Sequence, residues 1–304
     1  MSIKKVLGSV FPVIDSDRRK QYVTDKVLAT PQKNDGVRNV HVVNPNNVGD
    51  YYCGPHHYFS ELKGKELNIS DYRVTSKVTR DQWAAEVSNN ALIIGGGGLF
   101  NLRHFAKQLE LFEALAEKGK KIVVWGAGHN ETDRSQWQSV SSYNVDVSKF
   151  GLVGTRDYSM NNEYVPCVSC MHEIFDKSFT AEQEVGIIFN HNSIKNQELV
   201  KKLSKYPVTS NTSSLDEMVE MIGKSETIVS NSYHAIFWAI LLGRKTIAIP
   251  TTSKFFDFKY QPIVATFETF EEKLSEAIAF DGVLEESRML NRDYHEKVVN
   301  YLNL

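Results

Sequence analysis

Apolar and polar positions run along the chain in a repeating cycle. A short β-branched run is followed by a polar or glycine-rich break and then by a stretch with apolar residues three and four apart. Val37–Val43, ending at Asn44-Pro45, reads as the first strand. Ala91–Ile94 runs into four glycines, Gly95–Gly98, and the reading is strand, glycine turn, helix. Lys121–Trp125 empties into Gly126-Ala-Gly-His-Asn130, Phe150–Asp157 ends on Arg156-Asp157, and Val185–Phe189 opens a fresh series. Between these strands, Gln108–Gly119, Gln197–Lys205 and Leu215–Gly223 carry helical spacing. The densest cycle is Thr227–Lys254, where an apolar run breaks at Ser-Asn-Ser-Tyr-His, resumes as Ala235–Leu242, and returns as a strand over Lys245–Pro250. That pattern predicts strand, tight turn, a helix buried on most faces, then strand. Two amphipathic helices, Glu271–Phe280 and about Leu284–Leu302, are expected in the tail; the segment before Val37 is the least regular.

Strands alternating with helices imply βαβ units and a mostly parallel sheet, an α/β fold. The polar stretch Asp176–Glu184 separates two such series, which predicts two Rossmann-like domains, 1–178 and 179–304, with the last helix packing back on the first. In open parallel sheets ligands bind beyond the carboxyl ends of the strands. The breaks named above are therefore the candidate site walls. His234 stands at the start of the buried helix, and Thr251, Thr252, Ser253 and Lys254 follow the next strand. After the first strand comes Asn46–Tyr58, rich in Asn, Gly, His and Tyr, which is either a site wall or turn chemistry with packed aromatics.

Composition narrows the function. The 304-residue chain is 41% hydrophobic and 24% charged, with a formal charge of −2, which gives no basic excess for nucleic acid. The densest basic cluster is Arg18-Arg19-Lys20. The start lacks a signal-peptide pattern and no stretch approaches the roughly 18 apolar residues of a span, so a cytoplasmic location is expected. Cys53, Cys167 and Cys170 form a sparse set best read as structural. Neither a D-x-D motif nor a His and carboxylate cluster argues for a metal. The glycine spacing is not that of a dinucleotide site or a P-loop.

Taken together, Asn47-Val-Gly-Asp50 with Tyr51 to Phe59, GGGGLF at Gly95–Phe100, VVWGAGHN at Val123–Asn130, GTRD at Gly154–Asp157, PCVSCM at Pro166–Met171 and SNSYHAIFWAILLGRKTIAIPTTSK at Ser230–Lys254 resemble the polysaccharide pyruvyl transferase family. The resemblance implies two Rossmann-like domains facing each other across a cleft, like the type B glycosyltransferases (GT-B). It also implies transfer of the enolpyruvyl carbon of phosphoenolpyruvate onto two hydroxyls of a sugar, giving a cyclic pyruvate ketal and phosphate. No cofactor is implied beyond phosphoenolpyruvate as co-substrate. The acceptor would be a polymeric or lipid-linked glycan, which would bring the protein near a membrane surface.

Roles follow from residue chemistry within that frame. Phosphoenolpyruvate carries a carboxylate and a phosphate, so its site needs cations and fixed donors. Arg156 offers a two-pronged fork, Lys254 a point charge, Ser232 and Tyr233 hydroxyls, and Gly96 and Gly97 close backbone approach, while helix amino termini after the glycine turns could add N–H groups. His234 is the expected general acid and Asp50 the base for the sugar hydroxyl. Tyr51, His56, His57, His129 and Asn130 are the expected acceptor contacts, with His129 a rival acid. One departure stands out: many family members read Ser-x-Arg-x-His where this chain reads Ser230-Asn-Ser-Tyr-His234, so Ser232 occupies the family's Arg position and either Lys254 or Arg156 must supply the cation. Two other readings remain open. One is a type B transferase of nucleotide-sugars, with Asp257 or Glu268 as a ribose carboxylate. The other is a non-catalytic glycan-binding relative.

Overall fold

The computed structural model describes residues 3–304, with side chains described from Asp15 onward. The first series comprises α1 (Ile3–Ala29), β1 (Val37–His41), α2 (Val48–Tyr51), β2 (Glu66–Asn68), α3 (Lys77–Asn89), β3 (Ala91–Gly95), β4 (Gly98–Phe100), α4 (Ala106–Glu117), β5 (Ile122–His129), β6 (Leu152–Thr155) and β7 (Glu163–Tyr164). The second comprises β8 (Gln183–Phe189), α5 (Gln197–Lys202), β9 (Val208–Ser210), α6 (Leu215–Gly223), β10 (Ser225–Ser230), α7 (Tyr233–Leu241), β11 (Lys245–Ala248), β12 (Ile263–Val264) and α8 (Val283–Leu302). They build a 7-stranded sheet, ordered β2-β1-β3-β5-β6-β7 with β4 beside β5, and a 5-stranded sheet ordered β12-β11-β10-β8-β9. Every pairing is parallel. This is the mixed α/β, Rossmann-like architecture that the alternation predicts.

Continuous apolar runs became central strands because both faces of a parallel sheet are covered. β3 and β5 are buried along their whole length. One face of the first sheet is covered by α1, α3 and α4, whose Val23, Trp83 and Phe112 pack with Leu92 and Val124. The other face is covered by α8, which comes from the far end of the chain: Tyr294, Val298 and Leu302 pack on Val37, Ile93 and Val123. Tyr294 donates its hydroxyl proton to the Val124 carbonyl at 2.7 Å, and Trp125 Nε1 donates to Asn291 Oδ1 at 2.8 Å. A side chain at Gly154 would stand 2.8 Å from the Tyr294 ring, so the helix lies flush on β6.

Four local readings are corrected. The segment before Val37 is not irregular: α1 covers Ile3–Ala29. Among its described side chains, from Asp15 onward, the inward stripe is carried mainly by Val23 and Val27 among charged neighbours, too narrow to stand out as a period. GGGG is followed by strand β4 rather than a helix, and α4 begins only at Ala106. Gly126-Ala-Gly-His129 is not a strand exit but part of β5, where Gly126 at φ +67 carries a shift of register against β6, and only Asn130 lies beyond the strand. Glu271–Phe280 forms a 3-10 segment, Phe270–Glu276, because Phe270, Leu274 and Ala277 face one core cluster while Phe280 turns to another, too broken an apolar face for a full helix. The polar stretch Asp176–Glu184 holds one anchor, Phe179, whose ring lies where a Gly223 side chain would be.

Tyr294→Ala should cost about 3–5 kcal/mol, the range for truncating a buried aromatic ring. Tyr294→Phe should cost about 1 kcal/mol through the lost hydrogen bond. Urea unfolding measures both, and a cost below about 1 kcal/mol for the Ala variant would mean that α8 does not stabilise the first sheet.

Candidate active site

A cleft of about 670 Å³ runs between the carboxyl ends of the two sheets. The first series lines it with Asp50, Gly96, Gly97, Asn130 and Arg156, and the second with Ser232, Tyr233, His234 and Lys254. These nine expected residues are brought together. Four are not. His129 is buried with its Nδ1 2.6 Å from Ser253 Oγ and its Nε2 3.1 Å from Asp257 Oδ2, so both ring nitrogens are committed within the protein. His56 and His57 pack on each other with centroids 4.1 Å apart, facing β1 and β2 rather than the cleft. Tyr51 stacks on His57 and is outside the lining. The aromatic character of Asn46–Tyr58 is therefore packing, and of this stretch Asn47, Asp50 and Cys53 reach the cleft.

That end is fixed by the second series. Val48 donates its backbone N–H to the Asn211 carbonyl at 3.0 Å, and Asn211 Nδ2 donates to Asn47 Oδ1 at 3.1 Å. Asn47 Nδ2 in turn donates to Asp50 Oδ2 at 2.6 Å, which orients the carboxylate. Gly49 lies against the imidazole of His234: a methyl group there would fall 2.2 Å from Nδ1. The other ring nitrogen, Nε2, faces Cys167 Sγ at 3.5 Å. Gly96 and Gly97 have φ of +58 and +80, and a side chain at Gly96 would meet the Cys53 carbonyl at 2.1 Å. These glycines are required by close approach and left-handed backbone together.

The cleft is a cationic site with one acid on its edge. Arg156 is 2% exposed, its guanidinium carbon 3.8 Å from the centre of the Tyr233 ring, and its Nε and Nη1 have no hydrogen-bond partner. A buried guanidinium with idle donors is costly unless an anion takes them. Burial, reinforced by Arg156 and opposed by Asp50, lowers the Lys254 ammonium to about 8. Burial also raises Asp50 above an ordinary carboxyl, against the pull of Lys254, Arg156 and His191. His234 is held well below the ordinary imidazole value by burial, then by Arg156 and Lys254, and is neutral. Three helix amino termini reach the cleft: that of α7 through Ser232 and Tyr233, that of α4 through Phe105 and that of α2 through Asn47.

Sequence reasoning missed Arg73 and the polar run Asn190-His-Asn-Ser193, all lining the cleft. The run follows β8 directly, so the strand-exit rule that found His234 would have found it too. Arg73 sits at the end of a 3-10 segment, Ile69–Arg73, and carries no local signal.

Two parallel sheets meet here at a cation-rich cleft, an α/β arrangement with the charge to suit an anion. The model of the family Polysaccharide pyruvyl transferase matches residues 33–253, well over half of the chain, and the protein belongs to that family. No curated protein matches the chain. Membership supports a transferase role, pyruvyl transfer on a polysaccharide, and with it a glycan acceptor. Among the described residues no helix is long and apolar enough to cross a membrane.

Gly49→Ala should cost about 1–3 kcal/mol as overpacking, although alanine is ordinarily favoured over glycine in a helical turn. His234→Ala should remove most of that cost, which a double-mutant cycle reads as a coupling well above 0.5 kcal/mol, the level at about which neighbouring residues begin to register. Additive effects would place the two residues out of contact.

Proposed function

We propose that the cleft binds phosphoenolpyruvate and transfers its three-carbon unit to two hydroxyls of a sugar, forming a cyclic ketal and releasing phosphate. The single observation that carries this reading is the buried Arg156 guanidinium with free donors, beside Lys254 and an acid and imidazole pair. The planar fork suits the carboxylate and the ammonium suits the phosphate. We further take 1–178 and 179–304 as two domains in the GT-B manner, donor side second. A glycan on a lipid carrier is the acceptor form that would approach a membrane surface.

The proton count is closed within the cleft. One sugar hydroxyl bonds to the carbon bearing phosphate while the methylene carbon gains a proton and becomes methyl. Phosphate then leaves as the second hydroxyl closes the ring, so one hydroxyl proton ends on the methyl group and the other on phosphate. Burial favours exchanging the roles assigned from sequence. Asp50, raised by burial, holds a proton more readily than an ordinary carboxyl and is the acid; His234 is neutral and offers a ring lone pair to the hydroxyl proton. A bound anion offsets Arg156 and Lys254 and so makes both groups better proton holders.

Phosphate release from phosphoenolpyruvate in the presence of a glycan diol tests the reading, and a thermal shift with nucleotide-sugars but none with phosphoenolpyruvate would overturn it. Lys254→Ala should raise the half-saturating donor concentration by about 10 to 150-fold, the worth of one charge-assisted contact. Because the free ammonium is lowered to about 8, donor affinity should be level below that pH and fall above it as the proton is lost. Lys254→Arg should abolish that fall; a pH dependence that survives the change would assign it to another group.

A further inference from the structure

Away from the cleft, three imidazoles converge behind the loop that carries Asp50. His41 ends β1, and His56 and His57 belong to a 3-10 turn, Pro55–His57. One ring nitrogen from each lies within 4.8 Å of the others. His41 is fully buried, and neither of its ring nitrogens has a hydrogen-bond partner. Two such nitrogens in a protein interior are costly unless something binds them. Glu66, on β2 opposite Asn39, brings Oε2 to 3.2 Å from His56 Nε2, yet the pair does not meet the geometry of a hydrogen bond. That spacing is close to the roughly 3.3 Å between two ligands of one tetrahedral zinc ion with bonds of about 2.0–2.1 Å. His57 Nε2 is 2.9 Å from the Tyr51 carbonyl, which fixes a proton there and frees Nδ1. A backbone carbonyl on the far nitrogen is the usual support of a metal-bound histidine.

We propose that His41, His56 and His57, with the half-exposed Glu66 turned in from β2 as the fourth ligand, form a structural site for a first-row divalent cation, zinc by ligand type. Three imidazoles and a carboxylate make a closed set of four, the pattern of a structural rather than a catalytic ion. His41 keeps both ring nitrogens idle, the state in which a metal ion can take one. The other buried cluster, His129, Asp157 and Asp257, differs in this respect. There His129 bonds Ser253 and Asp257, Asp257 accepts from Ser159, and Asp157 accepts from the His129 backbone and Tyr143, so every group is satisfied without an ion. The ion would tie Tyr51–Tyr58 to the edge of the first sheet and so hold Asn47–Asp50 at the cleft.

The full chain, stripped with a chelator and titrated with zinc alone, should take up one ion per chain and gain roughly 5 °C or more in Tm at a hundredfold excess over Kd. Cobalt in its place should give the intense visible bands of a tetrahedral ion, and zinc should slow amide exchange across Tyr51–Tyr58. Glu66→Gln, at a half-exposed position, should leave the Tm of the stripped protein unchanged while weakening binding at least tenfold. His57→Gln should also weaken binding at least tenfold. Uptake below one ion per chain in the unsubstituted protein, or unchanged affinity in both variants, would overturn the site and leave a packed imidazole cluster satisfied by water. Because phosphoenolpyruvate binding is measured separately, failure of this site does not touch the reading of the cleft.

Discussion

The cleft depends on one steric constraint: nothing larger than glycine fits between the backbone at position 49 and the His234 imidazole. Every residue of α7 from Tyr233 to Leu241 is buried, so the helix has no freedom to retreat. Its first turn must face whatever the other series presents, and that is α2, held by the Asn211 bonds to Asn47 and Val48. Trp238 repeats the arrangement one turn on, donating Nε1 to Ser169 Oγ at 2.9 Å. The hydrophobic cluster around α7 accordingly includes Val48, Cys53, Cys167 and Cys170 from the first series. The site is thus assembled from two sheets that share part of one core.

Two further ties hold the sheets in that relation. α8 leaves the second series with Val283 in the core around α7 and ends with Leu302 under the first sheet. The second tie is the buried His129 network. Burial alone would raise Asp257, but the hydrogen bonds from His129 and Ser159 outweigh it and the carboxylate is lowered. A buried charged group is tolerable when all its partners are present and strongly destabilising when one is removed. His129, a tempting candidate acid at a glycine turn, therefore spends both nitrogens on architecture. Its distance from reactivity follows from Gly126 bulging within β5 rather than ending it.

The alternation of strands and helices was legible because parallel sheets bury both faces and leave near-continuous apolar runs. α7 and β10 could be read almost to the residue. The site was legible where a polar break follows such a run, as at Ser230–His234, Thr251–Lys254 and Arg156. It was misread where a break belongs to packing: the His and Tyr residues of Asn46–Tyr58 carry the right chemistry for a sugar, but face β1, β2 and each other. α1 escaped because two valines carry most of the inward stripe among its described side chains, and Arg73 because it ends a 3-10 segment rather than a strand and so leaves no trace in local pattern.

The serine at the family's arginine position has a physical account. Arg156 reaches over the Tyr233 ring, immediately beside Ser232, and Lys254 comes from the adjacent strand exit. Loss of water, and after it repulsion from Arg156, already lowers the ammonium of Lys254. A third cation, a guanidinium at position 232, would be stripped of water in the same way, would deepen that repulsion, and would compete with Arg156 for the face of Tyr233. A small hydroxyl instead lets the Ser232 backbone N–H bond Ser230 Oγ at 2.9 Å and begin α7 cleanly. On the proposed reading, the fork that holds the donor's carboxylate has moved from the helix start to the exit of β6. The anion then sits between the two sheets rather than on one of them, which binds donor affinity to the same contact that seats Gly49 on His234.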